Sequence, residues 1–274
     1  MLIIAAEEAE RHPSERLRLV QEASEHEGAA RWEQAEAAYR RILTLAEAEG
    51  NQAALFKAHD DLRTLFAMRG LGDQALQEAQ AAVAAALKTD LAALQVAAWQ
   101  GLFQCHLIHG DLKSAAATAE QAVQITSGET SLLRARALLM RARCRTEQAL
   151  TSESEEDLAG AWQILAPQAQ ATLFAGVQSS LAVWWDVTAR IRARAQDLAG
   201  AAEAKGKAVE FRRTVSHLPQ LEGPYKYHAL AKELQEYSVV LMAAGNAEAA
   251  RAAFDESREI QQRIGTVLPS SKAA

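Results

Sequence analysis

The apolar residues of this chain recur at the spacing of one face of an α-helix. The clearest copy of the pattern follows Gly110 and consists of Leu112, Ala115, Ala119 and the pair Ala122-Val123. Offsets of three, seven, ten and eleven residues from the first position keep these side chains on one side of a helix. The pattern therefore predicts amphipathic helices and not strands.

The same pattern occurs six times, and one alanine marks each copy. The alanines are Ala35, Ala75, Ala115, Ala161, Ala201 and Ala250, with intervals of 40, 40, 46, 40 and 49 residues. A small residue at this position allows two helix backbones to approach closely. The two longer intervals indicate insertions, and the segment 219–224 contains two prolines and a glycine that lengthen a loop before the sixth copy.

A second apolar-periodic stretch accompanies the repeated pattern, such as Leu94-Trp99-Leu102-Phe103 before the third copy. Gly70, Gly110 and Gly245 lie between the two stretches, where a helix C-terminus needs a positive φ. We therefore expect each unit to be two antiparallel helices joined by a tight turn. Pro13-Ser14-Glu15 is typical of the start of the first long helix, and Ser152, Ser154 and the following acidic residues predict a helix start near residue 155.

These residues resemble the tetratricopeptide repeat (TPR) family over most of residues 14–264. The family pattern of Gly, a bulky residue and two alanines is matched by Gly110, Leu112, Ala115 and Ala122. The units exceed the usual length of roughly 34 residues and are similar to the expanded repeats of kinesin light chains and of sensor regions in bacterial regulatory ATPases. Lys205 departs from the pattern, because it occupies a position that is usually apolar.

The resemblance implies an all-α fold, a right-handed α-α superhelix or solenoid of about six helix pairs. Stacking of neighbouring pairs supplies the core in such folds. We expect an N-terminal capping segment at 1–13, the repeat domain at 14–264 and a flexible C-terminal tail at 265–274.

Composition and charge narrow the function classes. The chain has 274 residues, 29 Lys and Arg against 35 Asp and Glu, and a formal net charge of −6. This balance argues against a nucleic-acid partner, since phosphate neutralisation supplies most non-specific affinity. No apolar run approaches the roughly 20 residues that cross a bilayer. We therefore expect a soluble protein with no membrane partner. Cys105 and Cys144 are interpreted as reduced thiols, which is typical of a cytoplasmic protein.

Sequence motifs of catalysis and of metal binding are missing. The chain contains no GxGxxG, GxxxxGK[ST], HExxH or GxSxG motif. His106 and His109 lie three residues apart beside Cys105, but no third ligand is near them in sequence. We therefore predict no catalytic residue, no metal, no cofactor and no enzymatic activity.

Arginine clusters supply the candidate partner-binding residues. If the first helix of each pair lines the concave surface, as in the TPR family, the patch there contains Arg134, Arg141, Arg145, Asp186, Arg190 and Arg194. Arginine forks suit a carboxylate or an acidic peptide. The alternative is internal neutralisation, because residues 131–150 carry a net charge of +4 and residues 151–172 carry −4.

Adjacent tryptophans add one further candidate. Trp184 and Trp185 point about 100° apart on a helix, so both cannot face inward equally. Trp184 is therefore included in the candidate groove.

The sequence thus predicts a scaffold or adaptor that binds a partner peptide or domain in its concave groove, and the arginine clusters favour an acidic partner. The alternative is a ligand- or peptide-sensing segment of a bacterial signalling or transcription-control system. Partner identity and oligomeric state are not encoded in any recognisable motif.

Overall fold

The computed structural model describes residues 2–169, 174–218 and 224–265, with side chains from Glu15 onward. This part of the chain forms twelve α-helices and contains no strand. In chain order the helices are α1 Leu2–Gly28, α2 Trp32–Ala48, α3 Gln52–Met68, α4 Gly72–Ala86, α5 Ala92–Ile108, α6 Leu112–Ile125, α7 Leu132–Glu147, α8 Thr151–Ala169, α9 Ala175–Arg194, α10 Leu198–His217, α11 Tyr225–Ala243 and α12 Ala247–Ile264.

The helices stack as six antiparallel pairs. Each odd-numbered helix, here called an A helix, packs on the even-numbered B helix that follows it, and each B helix packs on the next A helix. The A helices also contact one another, α3 with α5, α5 with α7 and α7 with α9. The predicted all-α solenoid of helix pairs is confirmed, with the A helices forming its inner layer.

The marker alanines lie where the pairs meet. Ala35, Ala115, Ala161 and Ala201 are fully buried, and Ala75 and Ala250 are nearly so. The core is divided into four apolar clusters along the chain, each made from neighbouring helices. Neighbour contacts therefore stabilise the array, as expected of a repeat protein.

One left-handed residue joins the two helices of every pair. Its φ lies between 53° and 79°, and the six positions are Ala30, Gly70, Gly110, Ala149, Gln196 and Gly245. Gly110 illustrates the reason for glycine: its φ of 72° is a conformation that L side chains rarely adopt. Three turns thus have the predicted glycine, and three adopt the same conformation with a side chain.

Polar caps fix several helix starts. The Asp111 side chain accepts a hydrogen bond from the Ser114 N–H at 3.0 Å, and Asn246 caps α12 through the Ala249 N–H at 3.2 Å. Asn51, Ser131 and Asp197 cap their helices in the same way. These bonds satisfy backbone donors that the first turn of a helix leaves free.

Two predicted helix starts were wrong. Helix α1 already begins at Leu2 and runs through Pro13, because the preceding residues are mostly good helix formers. Helix α8 begins at Thr151 and not near 155, because the Leu150 carbonyl accepts the Ser154 N–H. Ser154 is consequently a buried helical residue, and its hydroxyl donates to the Ala142 carbonyl at 2.8 Å.

Two further predictions concern segments outside the described residues. They are the connector at 219–223 and the tail after Gly265, which itself ends α12 with a φ of 65°. The division into a capping segment, a repeat domain and a tail stays a prediction.

The superhelix turns far enough for its later pairs to reach its earlier ones. Helix α11 contacts α3. The last helix also reaches the first pair. A Cβ built on Gly265, at the end of α12, would lie 2.7 Å from the Ala30 Cβ in the turn between α1 and α2. The inner layer therefore surrounds an interior space.

Candidate functional site

Two cavities lie inside the ring of A helices. The first, here called the N-terminal cleft, has a volume of about 840 Å³ and is lined mainly by α1, α3 and α5. The second, the interior cavity, has a volume of about 1060 Å³ and is lined mainly by α3, α5, α9 and α11. Since α3 and α11 contribute to both and contact each other, their contact separates the two spaces.

The N-terminal cleft combines apolar and polar side chains. Leu17 and Val20 of α1 are exposed along one wall, and Gln100 and Gln104 of α5 line the other. Arg63 forms part of the floor, where its Nε donates to Asp60 at 2.7 Å. Gly101 leaves room for this pair, because a Cβ there would lie 2.7 Å from the Arg63 Nε.

Two further carboxylates face the cleft from α1 and α3. Glu27 accepts a hydrogen bond from the Tyr39 hydroxyl at 3.1 Å, and Asp61 pairs with Lys57. Burial raises the pKa of Glu27 to about 7, and the charge of nearby Asp61 adds to this shift. Burial also raises the pKa of Asp61, and the charge of Asp60 acts in the same direction. Near neutral pH, the Glu27 carboxyl is therefore about half protonated.

A buried ion network forms one wall of the interior cavity. Lys205 lies at its centre, fully enclosed, and forms ion pairs with Asp186, with Glu233 at 2.6 Å and with Glu236 at 2.7 Å. Arg190 extends the network, because its Nε donates to Asp186 at 3.0 Å.

Arg190 and Arg194 close the rim of this wall. Arg190 also donates to Glu236 at 3.1 Å and to Glu147 of α7 at 3.2 Å, while Arg194 donates to the other oxygen of Glu147 at 3.1 Å. The network thus ties together helices α7, α9, α10 and α11.

The network holds two of its carboxylates, Asp186 and Glu236, ionised. Burial alone would raise the pKa of Asp186, but Lys205 and Arg190 hold it well below its usual range. Burial would likewise raise the pKa of Glu236, yet the charge of Lys205 brings it down to about 2. The three carboxylates in turn raise the pKa of Lys205 against the effect of burial. Asp186, Glu236 and Lys205 are therefore charged at neutral pH.

The same carboxylates have the geometry of a small cation site. Oxygen atoms of Asp186, Glu233 and Glu236 lie within 4.8 Å of one another. The Lys205 ammonium already pairs with all three, so the protein supplies its own cation at this position.

The structure brings together only part of the predicted binding patch. Asp186, Arg190 and Arg194 line the interior cavity. Arg141 instead forms a two-pronged pair with Asp157 of α8, at 3.0 Å and 2.7 Å, and Arg145 reaches the same carboxylate at 2.8 Å. For these two arginines the structure shows the internal neutralisation of α7 by α8 that was the alternative.

Arg134 and Trp184 also lie apart from both cavity linings. The Arg134 Nη1 donates to the Val123 carbonyl at the end of α6, at 2.8 Å. Trp184 donates its Nε1–H to the Leu158 carbonyl at 3.0 Å and packs against Trp162, with ring centroids 4.9 Å apart. Trp185 lies beside Lys207 of α10. Binding of a partner by the predicted residues stays a prediction.

The two histidines at the end of α5, His106 and the C-cap residue His109, have different partners. His109 contacts Asp73 at 3.2 Å, whereas His106 is 3.9 Å from Asp111. Cys105 and Cys144 are buried and free, and burial raises the pKa of Cys144 to about 11.

The sequence analysis did not predict that α11 lines the interior cavity. His228, Lys232, Gln235, Glu236 and Val239 share one helix face that lines the interior cavity. Their spacing of three and four residues is visible in the sequence, but nothing in it shows that α11 lies opposite α3 and α5.

Comparisons with known proteins concern the fold. No protein-family model matches the chain, and no curated protein matches it. Among solved structures, BtubC (BKLC) from P. vanneervenii is 17% identical, with 89% of this chain and 96% of that chain aligned and a TM-score of 0.54. RapI in its apo form is 11% identical, with 92% and 99% aligned and a TM-score of 0.53.

The chain has a TPR-like fold. The resemblance seen in the sequence is thereby confirmed for the architecture. A tetratricopeptide repeat protein from Parabacteroides merdae ATCC 43184 also aligns, at 10% identity over 92% of this chain and 98% of that chain, with a TM-score of 0.46.

Within the described residues, no helix is both long enough and apolar enough to span a bilayer.

Proposed function

We propose that this chain is a protein-interaction module that holds a segment of a partner protein in the N-terminal cleft. The observation that carries the proposal is the cleft itself, about 840 Å³ on the inner side of three A helices. Inner A-helix surfaces are concave and combine residues from several repeats, so they suit an extended partner segment.

The side chains of the cleft support this proposal. Protein interfaces combine an apolar centre with a polar rim of hydrogen-bonding groups. Exposed Leu17 and Val20 offer the apolar contact, and the amides of Gln21, Gln100 and Gln104 offer donors and acceptors. This composition favours a partner segment with one apolar anchor and several polar backbone or side-chain contacts.

The charge of the cleft favours a partner segment that carries a basic residue. Three carboxyl groups line the cleft, Glu27, Asp60 and Asp61, against two cations, Lys57 and Arg63. A basic residue of the partner would favour the ionised form of Glu27, whose pKa is about 7. Of the arginines on which the expectation of an acidic partner was based, Arg190 and Arg194 are the ones that line a described cavity. These arginines remain proposed contacts at the rim of the other cavity, where a partner carboxylate would compete with Glu147.

Site-specific photo-cross-linking tests the proposal in cells. A photoreactive amino acid replaces Gln104 inside the cleft or, as a matched control, Glu155 on the exposed side of α8. We expect a discrete cross-linked protein at position 104 and not at position 155, because only the former faces the cleft.

Affinity measurements then use the cross-linked segment of that partner as a peptide. Leu17→Glu should weaken its binding at least about tenfold, since the charge is added to the apolar wall. Equal cross-linking at both positions, or unchanged affinity of the Leu17→Glu protein, contradicts the proposal.

A second candidate function is ligand sensing. The contact between α3 and α11 favours it, because a ligand in the interior cavity touches both helices and so can change their approach. Small-angle scattering with and without a bound ligand distinguishes a sensor, whose radius of gyration changes, from a static adaptor.

A further inference from the structure

The interior cavity has an apolar side that the protein leaves uncovered. Ile108 of α5 and Val239 of α11 both line the cavity, and 53% and 55% of their surfaces remain exposed. Ala67, Ala189 and Ala193 continue this surface. Exposed apolar side chains around a concave space are the usual lining of a small-molecule site.

A cation without a carboxylate partner lies at the other end of the cavity. Lys232 is one turn after His228 on the cavity face of α11. Among the described residues, no carboxylate oxygen lies within 4.0 Å of its ammonium nitrogen, the limit for an ion pair. The Lys232 side chain is exposed and lines the cavity, so its ammonium is accessible to a ligand there. Desolvation by the surrounding protein lowers its pKa, and the charge of Glu236 opposes this shift.

His228 adds an unpaired polar atom beside this cation. Its Nδ1 is buried and has no hydrogen-bond partner in the described part of the protein. Buried polar atoms are rarely left without a partner in folded proteins. The Lys232 ammonium reaches a carboxylate from the cavity, and rotation of the His228 ring, which lines the same cavity, would bring its unpaired nitrogen to the second carboxylate oxygen.

The surrounding charges favour an anion over a second cation. The wall formed by the ion network and its neighbours contains six cationic side chains and four carboxylates. The cations are Arg143, Arg190, Arg194, Lys205, Arg212 and Lys232, and the carboxylates are Glu147, Asp186, Glu233 and Glu236.

We propose that the interior cavity binds a small amphiphilic carboxylate, with the carboxylate at Lys232 and His228 and its apolar chain between Ile108 and Val239. The seven residues from Lys232 to Val239 span about 10 Å along α11, which suits an acyl chain of medium length. The cavity volume of about 1060 Å³ is close to the upper end of the range for small-molecule sites, about 300–1,000 Å³. This activity is separate from partner binding in the N-terminal cleft.

Isothermal titration calorimetry of the full chain with three probes tests the proposal. Octanoate, octanol and octylamine have the same apolar chain and differ in charge, and each is used below its micellar concentration. We expect octanoate to bind at least about tenfold more tightly than octanol, and octylamine to bind more weakly than both.

Two variants assign the site. Lys232→Met should reduce octanoate affinity about tenfold and leave octanol affinity unchanged, because it removes only the charge contact. The matched control is Lys207→Met, which removes a lysine from the outer side of α10 and should change neither. Ala193→Phe fills the apolar side of the cavity and should abolish binding of both, with an unchanged circular dichroism spectrum showing that the protein is folded.

Each outcome has a defined meaning. Equal affinities for octanoate and octanol, or full octanoate affinity in Lys232→Met, overturn the proposal. Failure of octanoate binding leaves partner cross-linking in the N-terminal cleft unaffected, and the Leu17→Glu variant should bind octanoate normally. The two proposals therefore fail separately.

Discussion

Single residues decide how charge is distributed inside this protein, and Lys205 has the largest effect. Its ammonium is enclosed by three carboxylates from α9 and α11. The sequence marks it only as a departure from an apolar repeat position. Its partners could not be predicted, because they come from helices about 19 and 31 residues away whose register depends on the whole stack.

Replacing Lys205 by Met should therefore destabilise the protein strongly. Breaking a buried ion pair by removing one partner costs about 3–5 kcal/mol, since the remaining charges stay buried without compensation. Urea denaturation followed by circular dichroism measures the loss. Lys207→Met is the control, because its ion pair with Glu203 is exposed and contributes less than about 1 kcal/mol. Equal stability of the two variants would show that the Lys205 network is not stabilising.

Glu27 makes the folded state sensitive to pH. Its pKa is about 7 in the folded protein, against an ordinary value of 4.5. Between these values the folded state binds more protons than the unfolded state, so the contribution of Glu27 to stability falls as pH rises from about 4.5 to about 7. Asp186 and Glu236 act oppositely and only at lower pH, because their pKa values are depressed.

The Glu27→Gln variant should remove this sensitivity while keeping an acceptor for the Tyr39 hydroxyl. We expect wild type and variant to have similar free energies of unfolding at pH 5, and the variant to be more stable at pH 8 by about 2–3 kcal/mol. Urea titrations at both pH values measure the difference, with the exposed Glu155→Gln as control. A constant difference between wild type and variant across this pH range would contradict the assignment.

At the scale of the element, the repeat unit was largely predictable and its boundaries were less so. The periodic alanines predicted six helix pairs because a small side chain at a helix crossing serves the same purpose in every unit. The start of α8 was misplaced because serine residues that resemble a helix cap are used as buried helical residues, as Ser154 shows. Local sequence does not distinguish these two uses.

The left-handed residue in the turn of each helix pair affects the stability of the protein, and this effect can be tested. Ala149 has a φ of 61°, and its counterpart in the third pair is Gly110. Ala149→Gly should stabilise the protein by about 0.5–1 kcal/mol, since the cost of a left-handed alanine exceeds the added freedom of the unfolded chain. Gly110→Ala should cost about as much. Chemical denaturation of both variants checks the pair, and stabilisation by Gly110→Ala would refute the reasoning.

At the scale of the whole molecule, the approach of the last pairs to the first was not predictable. Each step between pairs adds a small rotation, and only the sum over six pairs decides whether the ends meet. The candidate site was likewise only partly predictable from the sequence. Asp186, Arg190 and Arg194 were found from their helical spacing, whereas the opposing face of α11 became visible only in the folded array.

The end contact can be tested with two glycines of similar backbone conformation. Gly265 and Gly110 have φ values of 65° and 72°, but only at Gly265 would a Cβ meet another residue, at 2.7 Å from the Ala30 Cβ. Gly265→Ala should therefore loosen the turn between α1 and α2 and accelerate amide hydrogen exchange there. Gly110→Ala should leave exchange in that turn unchanged. Equal exchange in both variants would show that the end contact is absent in solution.

The meeting of the two ends also constrains changes in the number of units. An open solenoid can gain or lose a unit by duplication or deletion, because each new unit meets only its neighbours. Here a helix pair inserted or deleted within the array would shift the end of α12 relative to the turn between α1 and α2, and the approach of Gly265 to Ala30 would be lost. Duplication or deletion of an internal unit therefore removes a contact that an open solenoid does not have.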